Sequence, residues 1–251
     1  MKINKRAFTF VLSTIFCVSI FAQEQSVVRK TSSTQEKSKA ETSVEQEYLS
    51  DVEGVVILGL AASDEYDNKL VAMQFLESAV ENGNVSDDIM KALNQLAGEG
   101  ISKQSRTNGR LMNNFPDIRR RACLALGKIK TEQSKEYLVK VTLAENEPMV
   151  IAAAVNSLGE IGINNNDEVV DAISFANRRN QILNPTSSLA FEVLDAYEKL
   201  AASTENKKII IDSVATIATN YNYVTPVRNK ALKLLKTISD SGNSSNTSEA
   251  K

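Results

Sequence analysis

The sequence of 251 residues contains no histidine and no tryptophan. Without histidine, a chain cannot form a Ser-His-Asp or Cys-His catalytic group, ligate a metal through imidazole or shuttle a proton through it, so most hydrolase mechanisms are excluded. Glycine and proline are scarce, with 10 and 4 residues, which argues against many short strands joined by tight turns. A hydrophobic fraction of 42% and a charged fraction of 24% are typical of a globular chain with a sizeable core, and the composition favours helices.

The N-terminus has the pattern of a secretory signal peptide. Lys2, Lys5 and Arg6 precede an apolar run that ends at Phe21, and the residues after Ala22 are polar. This run is shorter than the roughly 20 residues that cross a bilayer, so we expect no permanent membrane span after signal cleavage. The sequence therefore predicts cleavage near Ala22 and a periplasmic or secreted protein.

Cleavage at that position changes the charge and the cysteine count. Residues 1–22 contain three basic residues and no acidic one, so the mature chain has 26 basic and 31 acidic residues and a net charge of −5. Cys17 leaves with the signal, and Cys123 alone remains, which excludes an intramolecular disulfide. Because Cys123 lies in an apolar helical pattern, we expect a buried, inert thiol.

Composition divides the chain into four parts. Residues 1–22 are the predicted signal peptide, and residues 23–46 are rich in Ser, Thr, Gln, Glu and Lys, which predicts a disordered tether. Residues 47–239 contain the folded part, and residues 240–251 resemble the tether. Within the folded part, a helix at about 50–62 is expected to cap the first repeat with its apolar residues, Val52, Val55, Val56, Leu58 and Leu60.

The folded part contains an internal repeat. The segment PDIRRRACLALGKI at 116–129 recurs 32 residues later as PMVIAAAVNSLGEI at 148–161. Weaker copies are centred on Ala72, Ala190 and Ala231. Amphipathic segments at 86–97, 131–144, 167–178 and 206–218 separate the copies, so each unit is predicted to be a pair of helices. The four prolines stand where first helices are expected to begin, and Gly127 and Gly159 stand near their ends, which suits helix exits or close helix contacts.

Pro116-Asp117-Ile118-Arg119, followed by the small and apolar residues up to Ile129, resembles the signature of HEAT repeats, in particular the short HEAT-like repeats of phycobilisome lyases. The second copy has Ile151 where the first has Arg119. The resemblance covers about residues 66–239. It implies an all-α fold, an α-solenoid of about five HEAT-like helical hairpins. Family members generally act as scaffolds that bind other proteins along one face, and a minority attach bilin chromophores.

Segment 100–130 is strongly basic, with eight Lys and Arg residues against Asp117. The resemblance implies that Arg119 is structural and pairs with a neighbouring copy. The other basic residues are either ordinary solvated side chains or a docking site for an acidic protein, an anionic lipid or an anionic polymer. The candidate binding residues in this segment are Lys103, Arg106, Arg110, Arg120 and Arg121. Nucleic acid is excluded as a partner, because the exported chain is acidic and Phe115 is the one aromatic residue near the segment.

Tyr221 and Tyr223 are further candidates for partner binding, since exposed tyrosines anchor interfaces; the alternative is that they seal the turn before the last helix. The run from Asn164 to Glu168 lacks the alternating ligands of a calcium loop, so a helix cap is expected there. We predict no catalytic residue, no metal and no cofactor.

The sequence favours a non-enzymatic scaffold in the cell envelope that binds protein partners. Two alternatives stay open. One is a lyase-like enzyme or enzyme subunit, and the other is a module that binds anionic lipid or cell wall through the basic segment 103–130.

Overall fold

The computed structural model describes residues 44–246, with side chains described for residues 52–240. The predicted signal peptide and the tether up to residue 43 lie outside these residues. The helices are α1 (Val44–Ala62), α2 (Tyr66–Glu81), α3 (Asp87–Ala97), α4 (Pro116–Lys128), α5 (Glu132–Ala144), α6 (Pro148–Ile161), α7 (Glu168–Leu183), α8 (Ser187–Leu200), α9 (Lys207–Thr219) and α10 (Thr225–Asn246). Two short strands, β1 (Arg106–Thr107) and β2 (Arg110–Leu111), pair antiparallel between α3 and α4.

The helices of the described residues form two layers. Helices α2, α4, α6, α8 and α10 pack side by side in the first layer, and α1, α3, α5, α7 and α9 pack in the second. Because consecutive helices alternate between the layers, α2–α3, α4–α5, α6–α7 and α8–α9 are helical hairpins that stack on their neighbours. The prediction of an all-α solenoid is confirmed, and its described part has four complete hairpins flanked by α1 and α10.

A continuous apolar seam joins the layers, from Ile57 in α1 to Ile238 in α10. The five alanines that mark the sequence repeat all lie in first-layer helices and are almost fully buried: Ala72, Ala122, Ala154, Ala190 and Ala231. Their small side chains let neighbouring first-layer helices approach closely. Each hairpin buries its apolar face on the next one, as expected of a solenoid.

Glycine sets the closest approaches between first-layer helices. A β-carbon on Gly127 of α4 would lie 2.4 Å from the Oγ of Ser157 in α6, and one on Gly159 of α6 would lie 2.9 Å from the Cα of Ala196 in α8. The Ser157 hydroxyl also donates to the carbonyl oxygen of Cys123 across the first of these contacts (2.9 Å). Gly127 and Gly159 therefore lock α6 between α4 and α8.

Prolines and capping side chains begin the helices. Pro116 and Pro148 are the first residues of α4 and α6, where the missing N–H has no helical partner to lose. Pro185 precedes α8, and Pro226 is the second residue of α10. At the start of α3, the Ser86 side chain accepts a hydrogen bond from the third backbone N–H of the helix.

Both ends of the folded part differ from the prediction. Helix α1 begins at Val44, and it packs on α2 and α3 through Ile57 and Ala61. The helix thus caps the first repeat, with Leu58 and Leu60 packed against the core, but Val52, Val55 and Val56 of the predicted set are exposed. The helix is apolar on more than one face, and only one face meets the stack. At the other end, α10 continues to Asn246, beyond the predicted end at residue 239, since each residue added to a formed helix gains a backbone hydrogen bond.

None of the helices in residues 44–246 has the length and hydropathy needed to span a bilayer.

Candidate protein-binding surface

The structure divides the eight basic residues of segment 100–130 into two groups. Three form ion pairs: Arg119–Glu145, Arg121–Glu77 and Lys128–Glu81. The other five are exposed and form no ion pair with any residue whose side chain the structure describes: Lys103, Arg106, Arg110, Arg120 and Lys130. We refer to these five as the unpaired cations.

Arg119 is a structural residue. Its buried guanidinium donates to Glu145 Oε2 (2.6 Å), to the carbonyl oxygen of Glu99 (3.1 Å) and to Asn114 Oδ1 (2.9 Å). The Glu145 carboxylate also accepts a hydrogen bond from the backbone N–H of Glu147 (3.0 Å), directly before α6. Arg119 thus joins α4 to the loop before it and to the turn that leads into the next repeat.

A β-hairpin carries two of the unpaired cations, Arg106 and Arg110, and Lys103 lies in the loop just before it. Asn108 and Gly109 both have positive φ, 51° and 78°, as the two central residues of a tight type I′ hairpin turn require. In the register of the hairpin, Arg106 pairs with Leu111, and Thr107 with Arg110. The Arg106 side chain donates to neutral groups of the hairpin itself, the amide oxygen of Gln104 and the carbonyl oxygen of Gly109, so its charge remains available.

A buried polar network holds the base of this hairpin. Glu99 Oε2 accepts from Lys69 Nζ of α2 (2.8 Å), and Glu99 Oε1 accepts from Asn113 Nδ2 (2.5 Å). The Asn113 side chain, which follows β2, also donates to the carbonyl oxygen of Lys103 and accepts from the N–H of Ser105, both of which precede β1. These three side chains are almost fully buried. The hairpin therefore stands on a rigid base, not on a flexible loop.

Arg120 lies on the exposed face of α4, in the second turn of this helix. Its neighbour Arg121 is half-buried and donates to both carboxylate oxygens of Glu77 on α2 (2.8 and 2.6 Å), and this hydrogen bond raises the pKa of Arg121. The one acid of the segment, Asp117, accepts a hydrogen bond from the Tyr66 hydroxyl (2.6 Å). Arg120 therefore has no carboxylate partner on either side, whereas Arg121 braces α2 against α4.

The structure separates the two candidate tyrosines. Tyr221 is 87% exposed, and the guanidinium of Arg228 lies 4.9 Å from its ring centre. Tyr223 is 4% exposed, and burial raises its pKa to about 12. Tyr223 thus packs into the stack, as in the alternative role of sealing the turn, and Tyr221 alone is presented to solvent.

Two other sequence features have structural roles. Cys123 is buried, and burial raises the pKa of its thiol to about 12, so the thiolate needed for reactivity is scarce at neutral pH. The Asp167 carboxylate accepts hydrogen bonds from the backbone N–H groups of Glu205 and Asn206, which lie ahead of α9. In residues 52–240, no group of His, Cys, Asp and Glu side chains could hold a metal ion.

Sequence reasoning missed the hairpin and its base. The Asn108-Gly109 pair was an available signal, since this dipeptide favours a two-residue hairpin turn. For the Lys69–Glu99 pair, half of a signal was available, since Lys69 lies three residues before Ala72, as Arg119 lies three residues before Ala122. Glu99 gave no signal, because it lies 30 residues further along the chain and outside the repeat motif.

The comparisons with known proteins agree with the fold. The family model for HEAT repeats matches residues 110–175, which include β2, α4, α5 and α6 and the beginning of α7. No curated protein and no solved structure is significantly similar to the chain.

Proposed function

Since residues 110–175 of this chain are HEAT repeats, we propose that the protein is an exported, non-enzymatic scaffold that binds an acidic surface of another protein through the unpaired cations. HEAT repeats generally mediate contacts between proteins. In this proposal, the stack of hairpins supplies a rigid support, and the binding residues are Lys103, Arg106, Arg110, Arg120 and Lys130. Arg121 and Tyr223 have structural roles, and exposed Tyr221 belongs to the opposite end of the repeat array.

One observation supports the proposal above all: the five unpaired cations are concentrated on one segment that contains a single acidic residue, Asp117. Concentrated charge of one sign repels itself and attracts the opposite sign, which favours association with an acidic partner. The hairpin that carries Arg106 and Arg110, together with the loop that carries Lys103, is anchored by Glu99 and Asn113, so little conformational freedom is lost when a partner binds.

An acidic protein fits this surface better than an anionic polymer or lipid, because apolar side chains accompany the cations. Met112, directly after the hairpin, and Met149, at the start of α6, are both exposed. Apolar contact area surrounded by charge is typical of protein interfaces.

The proposed location outside the cytoplasm rests on the signal-like pattern of residues 1–22 and not on the described residues. Mass measurement of the protein from its native cells tests it. We expect a chain that begins at or near Gln23, in a periplasmic or extracellular fraction; a full-length chain in the cytoplasm would contradict export.

Quantitative affinity capture from native cell extract tests the binding proposal. In the binding variant, serine replaces Lys103, Arg106, Arg110 and Arg120. In a matched control, serine replaces four exposed basic residues outside the segment that also lack an ion pair: Lys140, Arg178, Lys233 and Lys236. We expect the wild type and the control to capture the same acidic protein, and the binding variant to retain roughly tenfold less of it, since the cations lower the free energy of the complex.

Raised salt and anionic lipid vesicles distinguish binding to an acidic protein from binding to lipid. Raised ionic strength should release the captured protein, because the pairing is largely exposed to solvent. If capture of no protein depends on the four residues, the scaffold proposal is wrong. If, in addition, the binding variant co-sediments less than the wild type with anionic phosphatidylglycerol vesicles, the lipid alternative is favoured.

A further inference from the structure

Helix α6 is recessed between its two first-layer neighbours. Its outward-facing side chains are small: Ala152 and Ala153 line the surface but are only 9% and 5% exposed. The larger side chains of α4 and α8 stand on either side of them. The result is a groove of about 500 Å³ that is lined by α4, α6 and α8.

A second cavity lies next to this groove along the stack. Leu124 and Asn156 also line this neighbouring cavity of about 690 Å³, between α2, α4 and α6. Both volumes lie within the range of roughly 300–1,000 Å³ that is usual for binding sites. The close contacts at Gly127 and Gly159 hold α6 at this depth, so the groove is a fixed property of the packing.

The two walls of the groove carry opposite charges that do not neutralise each other. Arg120 stands on the α4 wall without an ion pair. Glu192 stands on the α8 wall, where its carboxylate accepts a hydrogen bond from the neutral amide of Asn156 (2.8 Å) and forms no ion pair with a described residue. Lys230 of α10 interacts with it at longer range and makes no direct contact with its carboxylate. An occupant that brings an acid to Arg120 and a base to Glu192 would satisfy both charges.

The floor of the groove combines an apolar surface with one polar side chain, Asn156. Met149, Leu124 and the two alanines offer an apolar surface. Asn156 donates its amide N–H to Glu192, and its amide oxygen accepts no hydrogen bond from the described residues, so it can accept one from a main-chain N–H. A helix has used its main-chain N–H groups internally, whereas an extended segment still presents them.

We infer that this groove binds an extended segment of a partner protein in which an acidic and a basic side chain flank an apolar one. The acidic side chain pairs with Arg120, the basic side chain pairs with Glu192, and the apolar side chain covers the alanines of α6. The inference deepens the proposed scaffold function and depends on it for its biological role, since Arg120 belongs both to the groove and to the unpaired cations.

Selection from a random octapeptide library displayed on phage tests the inference with a defined probe. We expect the wild-type protein to enrich peptides that contain both an acidic and a basic residue next to an apolar one. Arg120→Glu should shift the enriched peptides to basic ones without acids, and Glu192→Lys should shift them to acidic ones without bases. Ala152→Gln, which fills the floor with a residue that suits a helix, should reduce enrichment by about tenfold or more.

Leu232→Ala on α10 is the matched control. Leu232 is 56% exposed, close to the 47% of Met149, and lies outside the groove. This variant should enrich the same peptides as the wild type, whereas Met149→Ala should reduce the enrichment of these peptides. The thermal midpoint of each variant is measured to show that it folds.

Three results would overturn the inference: no enrichment over the starting library, enriched peptides whose charges do not respond to Arg120→Glu and Glu192→Lys, or unchanged enrichment with Ala152→Gln. The groove and the scaffold proposal can fail separately. If the enriched peptides respond to the variants as expected but no partner is captured through the unpaired cations, the groove inference stands and the scaffold proposal is wrong. If a partner is captured but no peptides are enriched, the scaffold proposal stands and the groove inference is wrong.

Discussion

Replacing Arg119 by alanine is expected to lower the free energy of unfolding by about 3–5 kcal/mol, which is the usual cost of removing one partner of a buried ion pair. The change leaves the buried Glu145 carboxylate without its cation and the carbonyl oxygen of Glu99 without a donor. Urea denaturation followed by circular dichroism gives this free energy by linear extrapolation.

Arg121→Ala is the matched control, because it removes an arginine two positions further along the same helix. The Arg121–Glu77 pair is partly exposed, so its loss should cost no more than about 1 kcal/mol. The double variant Arg119→Ala with Glu145→Ala should recover part of the stability lost by Arg119→Ala, since no lone carboxylate is left buried. Equal costs for Arg119→Ala and Arg121→Ala would show that Arg119 does not join the repeats as described.

Glu99→Ala is expected to have a comparable effect, about 3–5 kcal/mol, because it strands the buried ammonium group of Lys69. It should also release the hairpin, since Asn113 loses its bond to the Glu99 carboxylate. Hydrogen exchange measured by mass spectrometry should therefore become faster in residues 100–114 than in the neighbouring helices.

Glu132→Ala serves as the control for Glu99→Ala. Glu132 also pairs with a buried lysine, Lys135, but Glu168 remains to hold that lysine after the change. We expect a small loss of stability and no change of exchange in residues 100–114. Unchanged exchange in these residues with Glu99→Ala would contradict a rigid base for the hairpin.

The repeat architecture could be predicted from the sequence because a solenoid depends on local and nearest-neighbour contacts. Ala122 and Ala154 recur at corresponding helical positions, and Pro116 and Pro148 begin corresponding helices, so two copies of the motif are enough to place the first layer. The same logic fails for α1, which lies outside the repeats: its apolar residues surround the helix, and the sequence does not say which face meets α2 and α3.

The sequence could not predict which basic residues of segment 100–130 form ion pairs, because their partners are distant in sequence. The carboxylates that neutralise Arg121 and Lys128 lie 44 and 47 residues earlier, on α2. Arg120 and Arg121 are adjacent in the sequence but point to different surroundings, since neighbouring residues of a helix lie about 100° apart. Only the packing of α2 against α4 decides which of them is available to a partner.

Site-specific photocrosslinking in the native cell tests the central claim most directly. A photoreactive residue in place of Met112, next to the hairpin, keeps all five unpaired cations, and one in place of the similarly exposed Leu232 on α10 is the comparison. We predict that position 112 crosslinks to an acidic protein that position 232 does not reach, and that the adduct disappears when serine replaces Arg106, Arg110 and Arg120. A crosslink pattern that is the same at both positions, or an adduct that persists without these arginines, would contradict the account.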